Sequence, residues 1–313
     1  MLPTAPDGLV PAGSPDRAAV QVSVVTVTWN SAPVLPGLLD SLRDHPPTGP
    51  WELIVIDNAS SDGTAALVRD RAPWAHLVVN ADNRGLPAAN NQGLDIAAGA
   101  AVLICNPDVR VGPGAVAALQ DLLAGHPRAG MAIPRLEYED GALQTSAGDL
   151  PSLGDALLGR QWHRRTKADA GFWWDGWAHD VEREIGRGHE AAYLVRAELV
   201  RDIGGQDERF VLDWEGIDWT ASARAAGWEV WFTPAARIVH LGGASIRQVP
   251  VRWIVRSHRG MYRYFAKRRP LAMRPLLWVA VTVRGAVKLA GLPLRATSYA
   301  RGHGAPTGPG AGS

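Results

Sequence analysis

Glu52-Leu53-Ile54-Val55-Ile56-Asp57-Asn58-Ala59-Ser60-Ser61-Asp62-Gly63-Thr64 decides how this chain is read. The apolar run Leu53 to Ile56 is short, branched and uninterrupted, which suits a strand covered on both faces, so Glu52 to Asp57 is expected as a strand. Acid, amide and hydroxyls follow at once, and Asp62 to Arg71 reads as a helix capped by Ser61 or Asp62. Strand, polar junction and helix in succession make the repeating unit of a parallel sheet.

The same unit recurs on either side. Strands are expected at Val22 to Thr28, Ala75 to Asn80 and Ala101 to Cys105, with helices at Pro33 to Arg43, Pro87 to Ala98 and Pro113 to Ala124. The fold class implied is α/β, a mostly parallel sheet flanked by helices. Polar residues gather where the strands end, at Thr28-Trp29-Asn30, Asp57-Asn58 and Asn106-Pro107-Asp108, the edge at which open parallel sheets hold ligands. After Met131 the rhythm breaks into short segments rich in Gly, Trp and charge, and the stretch around Trp174 suits a lid or acceptor wall. Asp213 to Ala226 reads as a helix stopped at Gly227, with strands at Trp228 to Phe232 and Arg237 to His240.

A chain of 313 residues, 46% hydrophobic, can bury a full core. Cys105 is the single cysteine; it excludes an intramolecular disulfide and sits in an apolar run as a small buried side chain would. The first 20 residues lack the charged and apolar regions of a signal peptide and read as a loose tail, as do residues 297–313. No run reaches the ~20 apolar residues of a spanning helix, since Leu276 to Val283 is stopped by Arg284. A cytoplasmic protein, peripheral at most on the inner membrane face, is the expectation.

Charge is unevenly spread. Val230 to Ser313 contains 14 Lys or Arg and no acid, leaving 18 basic against 31 acidic residues before it, a net −13. Arg252, Arg256, Arg259, Arg263 and Lys267 recur at helical spacing opposite Ile254, His258, Met261 and Phe265. Residues 249–296 are therefore expected as a basic amphipathic extension, meeting an anionic membrane or packing on the acidic domain or on a second subunit of a homodimer. Nucleic acid also fits the charge, but no nucleic-acid motif accompanies it.

Each polar junction has two readings. Asp57 ends a strand beside a helix cap, or accepts protons from the base or ribose of a nucleotide. Asn83-Arg84-Gly85 with Asn90-Asn91 is turn chemistry, or brings backbone amides and a guanidinium to phosphate. Asp108 punctuates a turn, or holds Mg²⁺ or Mn²⁺ together with substrate phosphates.

Taken in order, these segments resemble glycosyltransferase family 2, of the GT-A fold, and in particular its rhamnosyltransferase-like branch. The resemblance runs from Val22 to Ser245 and rests on Thr28-Trp29-Asn30, on residues 57–64, on Asn83, Gly85, Asn91 and Gly93, on Asn106-Pro107-Asp108-Val109, on Gly204 to Phe210, on Ala226-Gly227-Trp228 and on Val239-His240. It implies an inverting transfer from a nucleoside-diphosphate sugar of the dTDP, UDP or GDP type to a hydroxyl of a glycan, lipid-linked or small-molecule acceptor. The donor would meet Thr28, Asn30, Asp57, Asn58, Asn83, Arg84, Gly85, Asn91 and Asn106, and the metal Asp108 and His240. It also implies that residues 21–130 bind the nucleotide sugar and residues 131–248 the acceptor.

One departure bears on catalysis. The family usually carries Glu-Asp-x-Asp at the start of the second-half helix, its second residue being the general base, whereas this chain has Glu215-Gly216-Ile217-Asp218. Glu215 and Asp218 share a helix face and are expected as the catalytic carboxylates. Asp213, Trp174 and the pair His189-Glu190 are placed on the acceptor side, and Glu190 is the next candidate for the base. The family more often has small residues where His189 and Glu190 stand. Two rivals remain at this stage: a nucleotidyltransferase, which would need a Gly-rich basic loop after the first strand, and a non-catalytic sugar-nucleotide-binding or scaffolding homologue, suggested by Gly216.

Overall fold

The computed structural model describes residues 4–158, 171, 172, 174, 176–210, 214–242 and 250–290, the side chains of Pro250, Arg252 and Trp253 excepted. The first half alternates β1 (Val22–Thr28), α1 (Leu35–Asp44), β2 (Trp51–Asp57), α2 (Thr64–Arg71), β3 (His76–Val79), α3 (Leu86–Ile96), β4 (Ala101–Cys105), β5 (Val109–Val111) and α4 (Ala115–Gly125). The second half holds β6 (Ala129–Glu137), β7 (Leu143–Gln144), β8 (Ala147–Gly148), α5 (Leu153–Leu158), β9 (Arg183–Glu184), β10 (Arg187–Gly188), β11 (Ala192–Arg196), α6 (Ala197–Ile203), α7 (Glu215–Ala225) and β12 (Glu229–His240). Two further helices follow, α8 (Pro250–Lys267) and α9 (Arg274–Ala290).

The main sheet runs β3-β2-β1-β4-β11-β6-β12-β5. Its first four strands are parallel, as expected, with Thr28 level with Asp57. The order turns back between β1 and β4, and at such a switch point a crevice opens outside the strands' carboxyl ends. β11 lies antiparallel to both β4 and β6, and so joins the two halves in one sheet. The two strands expected between Trp228 and His240 are one strand, β12, with a register shift between Thr233 and Arg237.

Both sheet faces are covered, which explains the uninterrupted apolar runs. Val22, Val24, Leu53, Val55 and Leu103 pack under α1, α2 and α4, while Val25, Val27, Ile54, Ile56 and Ile104 face α3, α6 and α7. Burying Leu35, Leu38, Leu39 and Leu42 of α1 adds about 1.5–3 kcal/mol for each side chain.

Residues 4–20 are not the loose tail their composition suggests. Val10 N–H donates to Trp51 O (2.7 Å), Trp51 Nε1–H donates to Asp7 O (2.9 Å), and a 3₁₀ turn, Pro15–Ala19, carries Arg17 to Glu52. Glu52 is wholly buried inside the sheet, where an unpaired carboxylate would be costly; Arg17 at 2.8 Å, Ser23 Oγ at 2.6 Å and Ala98 N–H at 2.8 Å satisfy it. Residues 297–313, the other expected tail, lie outside the described residues.

The basic extension forms the expected helix, but its apolar stripe turns inward. Ile254, His258, Met261 and Phe265 are buried, and Met261 and Phe265 share a third core with Trp214, Ile217, Leu277 and Val281. Of the alternatives, packing on the domain is the one that holds for the apolar stripe. No described helix is long and apolar enough to cross a membrane.

Candidate functional site

At the switch point the polar junctions bond to one another. Asp57, wholly buried, accepts at Oδ1 from Thr28 Oγ–H (2.9 Å) and Ser60 Oγ–H (2.6 Å), and at Oδ2 from Ser60 N–H (3.1 Å). Asn30 and Ala59 adopt left-handed backbone (φ 52° and 65°), and Asn30 Oδ1 accepts from Ser61 N–H (2.8 Å). Such strained residues persist only where the surroundings over-determine them. Asp57 thereby shapes the loop that is expected to receive the nucleotide.

Asn58 ties this loop to the next. Its Nδ2–H donates to Asn83 Oδ1 (3.0 Å) and its Oδ1 accepts from Arg84 N–H (3.0 Å), leaving the Arg84 side chain exposed beside Gly85 (φ 87°) and the start of α3. Asn91 points elsewhere. Its Nδ2–H donates to Gln206 O (2.9 Å) and Glu208 Oε1 (3.0 Å), and its Oδ1 accepts from Gln206 N–H (2.8 Å), so it anchors the 204–208 loop to α3 and not a donor.

Asn106 and Asp108 follow β4, with Asn106 N–H bonded to Ala191 O (2.8 Å). β12 pairs antiparallel with β5, setting His240 level with Val109 and its Nε2 3.4 Å from Asp108 Oδ1. Gln144 Oε1, 3.1 Å from His240 Nδ1, fixes the ring so that Nε2 faces the carboxylate. His189 lies against His240, ring centroids 5.5 Å apart. Among the described residues no cluster of three or more His, Cys, Asp or Glu could hold a metal alone. Asp108 with His240 nonetheless fits Mg²⁺ or Mn²⁺ held jointly with a diphosphate and water, which needs only one or two protein ligands.

The α7 acids separate. Asp218 is buried and engaged by Lys267 Nζ (2.8 Å) and Arg268 Nη1 (2.6 Å), which fasten the end of α8 to α7. Two cations engage both of its oxygens, which favours an anchoring role for Asp218 over the expected role as a base. Glu215 is also buried, with Oε2 accepting from Trp214 N–H (3.1 Å). Glu190, half-buried on the loop before β11, reaches the first turn of α7, where Oε1 accepts from Ile217 N–H (3.1 Å). It lines a small cavity with His189, Tyr193, Gly216, Trp219 and Thr220. Trp174 is buried against the sheet, its Nε1–H on Asp149 Oδ2 (3.2 Å) and Arg183 over its ring at 4.3 Å, and so is no acceptor wall. Asp213 lies outside the described residues.

The profile of "Glycosyl transferase family 2" matches residues 23–182. The chain belongs to this family. It is 30% identical over 286 residues to an N-acetylglucosaminyl-diphospho-decaprenol L-rhamnosyltransferase of Mycobacterium tuberculosis, covering 85% of this chain and 90% of the relative. Among solved structures it resembles the mannosyltransferase PcManGT of Pyrobaculum calidifontis in complex with GDP-Man and Mn²⁺ (TM-score 0.55, 21% identity, 95% of this chain and 83% of that one). It also resembles S. aureus TarS 1-349 (TM-score 0.51, 16% identity, 85% of this chain and 71% of that one). These likenesses establish the GT-A fold.

In this family 2 glycosyltransferase one polar feature escaped the sequence reading. Gln206 is buried: its Nε2–H donates to the Tyr193 hydroxyl oxygen (2.8 Å) and its Oε1 accepts from Asn90 Nδ2–H (3.0 Å). The amide directly after Gly204-Gly205 was the available signal. Burial raises the Tyr193 hydroxyl well above its usual pKa, and the Glu190 and Glu215 carboxylates add to this, so both acids bear on one point. Burial likewise pushes the Cys105 thiol up to about 12, with Asp108 adding to it.

Proposed function

We propose that this glycosyltransferase moves a sugar, a deoxyhexose such as rhamnose, from a nucleoside diphosphate to a hydroxyl of a lipid-linked glycan, with inversion. The observation that carries the reading is the Asp108–His240 pair at the carboxyl edge, 3.4 Å apart and oriented by Gln144, beside the loops that Asp57 and Asn58 organise. Similarity over most of the chain to a rhamnosyltransferase with a diphospho-decaprenol acceptor supports the sugar and acceptor class.

In this reading Thr28, Asn30 and the loop shaped by Asp57 receive the nucleoside, and Arg84 with the amides at the start of α3 meets its phosphates. Asp108 and His240 would hold Mg²⁺ or Mn²⁺, which would offset negative charge on the departing diphosphate. The acceptor oxygen attacks the anomeric carbon as the bond to the diphosphate breaks. A carboxylate on the opposite side takes the hydroxyl proton.

The membrane contact we propose lies on α9. Leu276, Val283 and Val287 are 71%, 58% and 67% exposed, and Trp278 and Val279 join them, while Arg284 turns inward onto Leu157 O (3.0 Å) and His258. Apolar residues outward and a cation inward suit a lipid surface, and exposed Arg256, Arg259 and Arg263 on α8 suit anionic headgroups at about 1 kcal/mol each. A two-fold pairing through α9 would instead bring two acid-free basic rows together.

The test is transfer to N-acetylglucosaminyl-diphospho-decaprenol from dTDP-, UDP- and GDP-sugars, with and without Mn²⁺. Glycosylated lipid formed from one donor class and only with metal supports the reading; donor hydrolysis without transfer favours another acceptor.

A further inference from the structure

Gly216 and Glu190 occupy one place between them. A Cβ built on Gly216 would stand 2.5 Å from Glu190 Cγ, 2.8 Å from Cδ and 2.9 Å from Oε1. Real Cβ atoms do not approach other atoms this closely, so a side chain at 216 would require that of Glu190 to shift, and in the present arrangement the Glu190 carboxylate fills the space beside Gly216.

The surroundings suit an anionic carboxylate. Oε1 accepts from Ile217 N–H at the start of α7, where the helix dipole favours negative charge. His189, which lines the same small cavity as Glu190, packs on His240, and His240 faces Asp108. Asp218 is engaged by Lys267 and Arg268, Asp207 by Arg209 and Lys267, and Asp57 by its own loop, while Glu215, buried beside Gly216, accepts from the Trp214 N–H.

We infer that Glu190 is the general base of the transfer, reaching from the loop before β11 into the position that Gly216 leaves open. The inference rests on the proposed glycosyl transfer and adds the residue that completes it. As the acceptor oxygen bonds to the anomeric carbon and the anomeric C–O bond breaks, its electron pair leaves with the diphosphate, and the hydroxyl proton passes to Glu190.

The test compares Glu190→Gln, Gly216→Asp and the double variant Glu190→Gly/Gly216→Asp, using the decaprenol-linked acceptor and the active donor. Glutamine still accepts from Ile217 N–H, so thermal stability and donor KM should hold while kcat falls ~10²- to 10⁴-fold, the usual loss for a positioned base. Gly216→Asp alone should lose stability as well as activity, because its Cβ meets Glu190. The double variant should recover at least about ten-fold over either single change. Wild-type kcat in Glu190→Gln, or a double variant no better than the singles, overturns the assignment. Absence of transfer by the unaltered enzyme overturns the functional reading instead, a different result from a loss confined to the variants.

Discussion

Asp108 has little slack: its backbone carbonyl accepts from Leu241 N–H (3.0 Å) and its carboxylate faces His240, so its position is fixed from two directions. Asp108→Ala should abolish the response of transfer to Mn²⁺ and lower the rate ~10²- to 10³-fold, as loss of one preorganised electrostatic group does; a titration of activity against metal checks this. Cys105 is three residues away, and its thiol is buried and raised to about 12. It should therefore resist an aromatic disulfide reagent in the folded protein at neutral pH and react only on unfolding. Asp218 gives a contrasting test, because its two cations make it structural. Asp218→Asn should cost about 3 kcal/mol in urea unfolding, the lower end for a buried ion pair because Lys267 and Arg268 stay partly in water.

At the scale of elements, α8 and α9 are held by a short polar link inside an apolar contact. His258 Nδ1 lies 2.7 Å from Ile254 O, its Nε2 lies 2.8 Å from Arg284 Nη1, and Gly285 lets α9 approach the ring. Burial lowers the His258 pKa, opposed by the Ile254 carbonyl and reinforced by Arg284 and Lys288. A folded pKa below the ordinary 6.5 means that the unfolded chain binds the proton first, so stability present above that value is lost as pH falls through the folded pKa. Melting temperatures at neutral pH and near pH 5 should fall less in His258→Gln than in the unaltered protein. The outer face of α9 supplies a second test, flotation with vesicles. Binding should require anionic lipid, weaken with salt and vanish when Leu276, Val283 and Val287 become Gln, with no change in melting because all three are exposed. Equal recovery with neutral lipid, or none with either, contradicts the membrane contact.

For the molecule as a whole, the parallel half was legible because its strands are buried on both faces and its polar residues fall at one edge. Thr28, Asp57 and Asp108 could thus be placed together from order alone. What could not be read depended on contacts distant in sequence. Arg17 reaches Glu52 across 35 positions, which orders residues that composition marks as a tail. Lys267 and Arg268 reach Asp218 across about 50, turning an expected base into an anchor. Helical spacing identified the α8 stripe without saying what it meets, and the outward apolar row of α9 was hidden by an arginine that turns inward. The central claim is transfer of a nucleotide-activated sugar, and the most direct measurement is mass analysis of N-acetylglucosaminyl-diphospho-decaprenol after incubation with the enzyme, Mn²⁺ and each of dTDP-, UDP- and GDP-activated sugars. The account predicts a mass gain of one sugar, with release of the matching nucleoside diphosphate, from one donor class. An unchanged lipid with every donor, and no nucleoside diphosphate released, would contradict it.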